Sequence, residues 1–367
     1  MFDVAIVADG NAAIGMGHIM RSGAVAEALR ESGLSLCWIA SDRSAESLLQ
    51  AWGYPLFCLD SDYRQITEQA GNILEILKGQ TVRFAFFDSY FASNSLFAEV
   101  RKYCPVGCFG YGKNYSEGMD LIVPYGISSD REWYRNKFDR TETAVLFGSS
   151  YVPLRKAFWN AGKKDLSGEP KRLMITYGGT DPLNITGKLV KAIRENGMEI
   201  RLDVIAGRFF DSEMLEESCA GCSQVTIHKG LNDLSELMRH ADLAVSAGGM
   251  TLYELMASYV PTVAFSMADN QAGNRLLDGS VVWCGDIRDG KGLNCRTVEI
   301  IVENLKRLIS SPEDRAELAD RGYRQCDGNG ARRIARAVGD ILCRKESIRE
   351  DRSKGEALTE ERSGGVN

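Results

Sequence analysis

Residues 9–21, DGNAAIGMGHIMR, gather an aspartate, two closely spaced glycines, a histidine and an arginine in one stretch. Gly15 and Gly17 permit tight backbone immediately before His18, where a helix is expected to begin. Histidine is the commonest general base near neutral pH. At a helix N-terminus the positive end of the dipole disfavours the imidazolium, so the ring stays in the neutral form that can take a proton. Two plainer readings stand beside this one. His18 could simply cap the helix, or Gly15 and Gly17 could be half of a dinucleotide fingerprint, although Met20 occupies the place of the third glycine in GxGxxG.

Three further stretches carry polar chemistry. In YGGTD (177–181) Gly178 and Gly179 bare their amides and Thr180 adds a hydroxyl, which suits a phosphate or nucleotide. An ordinary strand-to-helix turn capped by Asp181 or Asn184 accounts for the same residues. In SAGGMTLYE (246–254) Gly248 and Gly249 are expected to expose amides just before a helix opening at Thr251, whose dipole favours a diphosphate. Glu254, one turn further, could accept both hydroxyls of a ribose, or merely complement the helix dipole. In MADNQAGN (267–274) Asp269, Asn270 and Gln271 offer donors and acceptors for sugar hydroxyls or acetamido groups, or a helix cap. His228 follows a strand and is expected to line a uracil pocket by its backbone, whereas His240 closes a helix and complements its dipole.

Such loops act only if regular elements hold them at one edge of a sheet. Apolar runs at 4–8, 36–40, 55–59, 84–87 and 106–109 alternate with amphipathic stretches at 19–31, 45–52, 66–78 and 95–102, which predicts a parallel sheet. The pattern pauses between 148 and 170, and the polar segment 161–170 (AGKKDLSGEP) suits a surface linker. Alternation resumes with strands at 172–176, 201–205, 225–227, 243–246, 262–265 and 281–283. The expected architecture is α/β: a Rossmann-like domain over 1–160 carrying the base, a second over 161–343 for the nucleotide, and a cleft between them. In doubly wound sheets the ligand lies beyond the C-terminal ends of the strands, where all four loops fall. Pro312 opens a helical stretch running to about 343, and the charged segment 344–367 is expected to be a disordered tail.

A length of 367 residues exceeds one ordinary core, consistent with two domains. The net charge of −6 argues against a nucleic-acid surface. The apolar runs are too short to span a bilayer and no signal segment opens the chain, so a cytoplasmic location without stable membrane association is expected. Ten cysteines on such a chain are read as reduced thiols; Cys219 and Cys222 form its CxxC, and with three histidines in all a metal site would be short of ligands. Neither metal nor cofactor is expected, and the oligomeric state is left open.

Taken in order, Asp9, the GxGHxxR loop ending at Arg21, FDSY at 87–90, YGGTD, SAGGMTLYE and ADNQ resemble the UDP-2,4-diacetamido-2,4,6-trideoxy-beta-L-altropyranose hydrolases of pseudaminic acid biosynthesis. Gly148, Tyr151, Leu154, Arg155 and Phe158 look like that family's bridge between domains. The second-domain motifs alone are shared with many GT-B glycosyltransferases; the GxGHxxR loop combined with Asp88-x-Tyr90 is the specific part. The resemblance implies a GT-B-like fold in which His18 activates water to displace UDP from the anomeric carbon with inversion and without metal. It further implies that Tyr90 lines the sugar, with Asp9, Gly15, Gly17 and Arg21 nearby, while Gly178, Gly179, Thr180, Gly249, Thr251 and Glu254 hold the nucleotide. Two alternatives stay open: a UDP-sugar glycosyltransferase in which His18 deprotonates an acceptor hydroxyl, and a non-catalytic UDP-sugar binder. One departure bears on the identity of the sugar: the family's pair of acidic residues after the fifth strand is replaced by Phe109-Gly110-Tyr111-Gly112.

Overall fold

A computed structural model describes all residues except 114, 116, 117, 179, 180, 182, 208, 209, 211, 221, 222, 232, 289–291 and 364–367. The chain divides into two compact units, one of Met1–Tyr125, Ser129–Pro153 and Ala331–Asn367, the other of Gly126–Ser128 and Leu154–Gly330. The division therefore falls after Pro153 rather than after 160, and residues 331–343 join the first unit rather than the second.

The first unit is built on β1 (Val4–Ala8), β2 (Leu36–Ala40), β3 (Leu56–Cys58), β4 (Phe84–Asp88), β5 (Val106–Phe109), β6 (Leu121–Val123) and β7 (Ala144–Val145). They pair in parallel in the order β3-β2-β1-β4-β5-β6-β7. All residues of β1, β2 and β4 are buried, as expected of near-continuous apolar strands covered on both faces. β6 and β7, three and two residues long, are too short to carry a periodic signal and escape the sequence reading. Between the strands run α1 (Gly17–Glu31), α2 (Glu46–Ala51), α3 (Ala70–Gly79), α4 (Asn94–Arg101) and α5 (Arg131–Phe138).

The second unit repeats the plan with β8 (Arg172–Thr176), β9 (Arg201–Ala206), β10 (Val225–Lys229), β11 (Leu243–Ala247), β12 (Thr262–Ser266) and β13 (Val282–Asp286), ordered β10-β9-β8-β11-β12-β13 and again parallel. Its helices are α6 (Ile185–Glu195), α7 (Ser212–Cys219), α8 (Ser235–His240), α9 (Thr251–Ala257), α10 (Cys295–Ser310) and α11 (Pro312–Gln325). The segment read as a linker is tied down within this unit. Arg315 is buried and donates to the carbonyls of Leu166 and Gly168 as well as to those of Leu308 and Ile309 at the end of α10. A guanidinium cut off from water must have such partners, so the polar stretch becomes part of the unit rather than a free connector. α12 (Gly330–Ser363) continues as helix through most of the segment expected to lack order; its sequence is rich in Glu, Lys and Arg, which are strong helix formers.

In each unit the strand order reverses beside its first strand, between β1 and β4 and between β8 and β11. That reversal opens a crevice at the strands' C-terminal ends; the loops at 9–21, 177–181 and 246–254 leave from β1, β8 and β11, and the loop at 267–274 from the neighbouring β12. No helix among the described residues is long and apolar enough to cross a membrane.

Candidate active site

Asp88 is the last residue of β4 and is fully buried. Its carboxylate collects donors from two sides. Arg21 binds it twice, Nε at 2.7 Å from Oδ2 and Nη2 at 2.8 Å from Oδ1. Ser22 Oγ donates to Oδ2 at 2.9 Å, and the Tyr111 hydroxyl donates to Oδ1 at 2.5 Å. His18 Nδ1 lies 2.6 Å from the same Oδ1. Burial pushes the Asp88 carboxyl up, but the bonds from His18 and Arg21 and the charge of the guanidinium outweigh it and leave the group below the usual carboxylate range. An ionised carboxylate has no proton to give, so the shared hydrogen sits on His18 Nδ1, and in the neutral ring the lone pair is then on Nε2. Arg21 Nη2, which also lies 2.6 Å from Nδ1, then serves Asp88 rather than the ring. This is the arrangement in which a buried carboxylate orients a histidine as a base.

The local sequence explains the placement. α1 begins at Gly17, so His18 stands in its first turn and Arg21 one turn on, facing the same way. Gly10 leaves room for the start of α1, because a Cβ there would stand 2.4 Å from Ile19 Cγ1 and one of the two would have to move. Gly15, at φ +70°, closes the loop through its N–H to Asn11 O at 2.8 Å.

His18 lines a small pocket with Asp9, Ile14, Tyr63, Asp88, Ser89, Tyr90 and Phe91. Tyr90, 59% exposed, sets its ring edge-on to the imidazole at 4.7 Å and to Tyr111 at 4.6 Å. Asp9 follows β1 and is buried, accepting from Ser41 N at 2.6 Å and Ser41 Oγ at 3.2 Å; burial raises its pKa although those bonds oppose the rise. Arg21, expected to contact substrate, has its guanidinium committed to Asp88, with Tyr125 at 3.4 Å and the Tyr111 ring centroid at 5.0 Å. Asp88, Ser22, Tyr111 and Tyr125 were not among the expected site residues. The signal for Asp88 was an apolar strand ending in a carboxylate, FAFFD, at the edge where sites form.

In the second unit the expectations meet a mixed outcome. Gly179 and Thr180 lie outside the described residues. Gly178 takes φ +95° after β8, while Asp181 accepts from the amides of Ile185 and Thr186 and Asn184 from that of Gly187, so both cap α6. The amides of Gly248 and Gly249 are not left open as expected: they donate to Phe265 O and Ala247 O, each at 2.8 Å, and Gly248 is buried where a Cβ would stand 2.9 Å from the Trp283 ring. Thr251 does open α9. Glu254, half-buried one turn later, has Arg155 Nη2 at 3.7 Å. Burial drives its pKa to about 7, Arg155 opposing and Asp233 adding to the rise. Asp269 is exposed and paired with Arg288 at 2.9 Å, and Gln271 Oε1 accepts from Met267 N, closing the 3₁₀ turn of residues 269–277. Asn270 belongs to that turn. The ring of His228 is engaged with Asp203, Nε2 to Oδ1 at 2.8 Å. Cys219 is buried, and its CxxC partner Cys222 lies outside the described residues.

No family model matches the chain. It is 24% identical over 273 residues to an uncharacterized protein of Methanocaldococcus jannaschii, covering 71% of this chain and 54%, about half, of that one. It is 23% identical over 351 residues to the spore coat polysaccharide biosynthesis protein SpsG of Bacillus subtilis, covering 92% of this chain and 98% of that protein. Among solved structures, MurG of Acinetobacter baumannii superposes with a TM-score of 0.64 at 16% identity, over 92% of this chain and 99% of that one. The UDP-GlcNAc 2-epimerase of Neisseria meningitidis bound to UDP-GlcNAc gives 0.63 at 11%, over 93% and 100%. The shared property is the fold: two parallel-sheet α/β units of the GT-B type.

Proposed function

We propose that the chain is an enzyme acting on a UDP-linked sugar, and that it releases UDP by hydrolysis with His18 as the base. The observation that carries this reading is the His18–Asp88 pair: a buried carboxylate fixes the tautomer, and the other ring nitrogen is left for a proton in a pocket lined by Asp9 and Tyr90. The neighbours of like fold include a protein solved with UDP-GlcNAc, and SpsG bears a name from polysaccharide synthesis, which supports a nucleotide-sugar donor. The finer reading is a UDP-2,4-diacetamido-2,4,6-trideoxy sugar, supported by the GxGHxxR loop combined with Asp88 and Tyr90. Water deprotonated by His18 attacks the anomeric carbon, the carbon–oxygen bond to the diphosphate breaks, and UDP leaves. General-base assistance supplies roughly 10² to 10⁴-fold, so positioning and stabilisation of the departing diphosphate must provide the rest. In this reading Glu254 takes the ribose and the loops after β8 and β11 face the phosphates.

The same fold in MurG keeps one second reading in play, transfer to an acceptor hydroxyl instead of water. Release of UDP measured with no acceptor, in heavy-oxygen water, separates them. Hydrolysis predicts acceptor-free turnover with the label in the sugar, and His18→Ala that binds UDP-sugar but loses turnover by about 10² to 10⁴-fold. A His18→Ala variant turning over at the wild-type rate ends the proposal.

A further inference from the structure

The loop after β5 departs from the family pattern, and its geometry is not that of a spare connection. Gly110 allows it to pass Tyr134, whose hydroxyl would stand 2.7 Å from a Cβ at that position. Two tyrosines then pin it. Tyr115 Oη accepts from the Tyr111 amide at 2.7 Å while donating to Phe109 O at 3.1 Å, and Tyr134 Oη donates to Gly112 O at 2.7 Å. The residue held between these clamps is Tyr111, and its hydroxyl reaches Asp88 Oδ1, the oxygen that also receives His18 Nδ1–H.

We propose that Tyr111 is a positioning residue for the His18–Asp88 pair, setting which carboxylate oxygen faces the imidazole and how much negative charge that oxygen keeps. The proposal rests on the reading of His18 as the base. A hydroxyl donating to a carboxylate oxygen draws charge from it, and an oxygen that keeps less charge stabilises an imidazolium less strongly. Burial and the nearby Asp88 charge push the Tyr111 phenol well above its ordinary range, so it remains a donor at neutral pH. The other groups around the pair are Arg21 from α1, Asp9 after β1, Tyr90 after β4, Cys108 in β5, Tyr125 after β6 and Tyr63 from the 3₁₀ turn of residues 63–69. Of these, Arg21 alone shares Asp88 Oδ1 with Tyr111 and His18, and it cannot lose its charge. The phenol is therefore the neutral donor through which that oxygen is adjusted.

The test exploits a chain with only three histidines. In protein labelled with ¹⁵N at histidine, the His18 ring is identified by its loss in His18→Ala and titrated in wild type, Tyr111→Phe and Tyr111→Leu. Removal of the hydroxyl should move the His18 titration midpoint upward by about half a unit to one unit, and the acid limb of the kcat profile with it. Phe and Leu should shift it equally. An unmoved midpoint in Tyr111→Phe overturns the proposal, and so does a shift confined to Tyr111→Leu, which would make the ring and not the hydroxyl the relevant part. The two readings fail separately. If wild type turns over a UDP-sugar and His18→Ala does not, yet Tyr111→Phe leaves the titration in place, the role of Tyr111 falls and the function stands. If the titration moves but wild type releases UDP from no sugar nucleotide, the coupling stands and the function falls.

Discussion

Each unit builds one cluster from the same three residue types, an aspartate, a histidine and an arginine, and the two clusters do different things. In the first, Asp88 ends β4 where the strand order reverses, and His18 and Arg21 both descend from α1. In the second, Asp203 lies within β9, taking Arg172 Nε from β8 at 2.9 Å and His228 Nε2 from β10 at 2.8 Å. The Asp203 cluster stitches three neighbouring strands across the body of a sheet. The Asp88 cluster stands at a strand end, and its histidine keeps Nε2 while giving Nδ1 to the carboxylate. Residue types alone do not make a base; the strand position and the nitrogen that is left over do.

Breaking the two aspartates in parallel sharpens this contrast most. Asp88→Ala strands a buried guanidinium, so a stability loss of about 3–5 kcal/mol is expected by denaturant melts, with turnover abolished. Asp203→Ala, whose partners are partly exposed, should cost about 1–2 kcal/mol and leave kcat within a few-fold of wild type. Equal kinetic damage from both would refute the assignment of the base to the first unit. The milder pair, Asp88→Asn and His228→Ala, separates orientation from structure. The first should lower kcat by about 10²-fold or more while the fold survives, because an amide no longer fixes the Nδ1–H tautomer; the second should leave steady-state kinetics unchanged.

The strands that position both clusters were legible because they are continuous buried apolar runs, and the loops were legible because glycines and polar residues interrupt those runs at the right places. What remained hidden is long-range. Asp88 and His18 are 70 residues apart, and no periodicity encodes that one accepts from the other. The amides of Gly248 and Gly249 look free in the sequence, yet Phe265 O and Ala247 O occupy them. Arg315 gives no sequence hint that it gathers carbonyls from residues 166 and 168 into its unit, which is why that polar stretch reads as a free linker. The loop at 110–112 reads as a departure from a pattern because tyrosines 111, 115 and 134 meet only in three dimensions.

The smallest expected effect concerns the sign of pH dependence, in which Asp88 and Glu254 oppose each other. Asp88 is held below its ordinary range, so its contribution to stability is present above about pH 4 and is lost as pH falls through its folded value. Glu254 is raised to about 7, so the folded chain retains a proton that the unfolded chain releases near its ordinary range. Stability should consequently decline as pH rises from about 4.5 to 7, by no more than about 1–2 kcal/mol given the residue's partial exposure. Glu254→Gln should flatten that decline in melts recorded across the window. If the carboxylate also accepts ribose hydroxyls, UDP affinity should rise over the same interval in wild type and lose that rise in Glu254→Gln. A wild-type affinity that is flat across the window, alongside a stability decline that the substitution does remove, would leave Glu254 as a half-buried acid facing Arg155 with no part in holding the nucleotide.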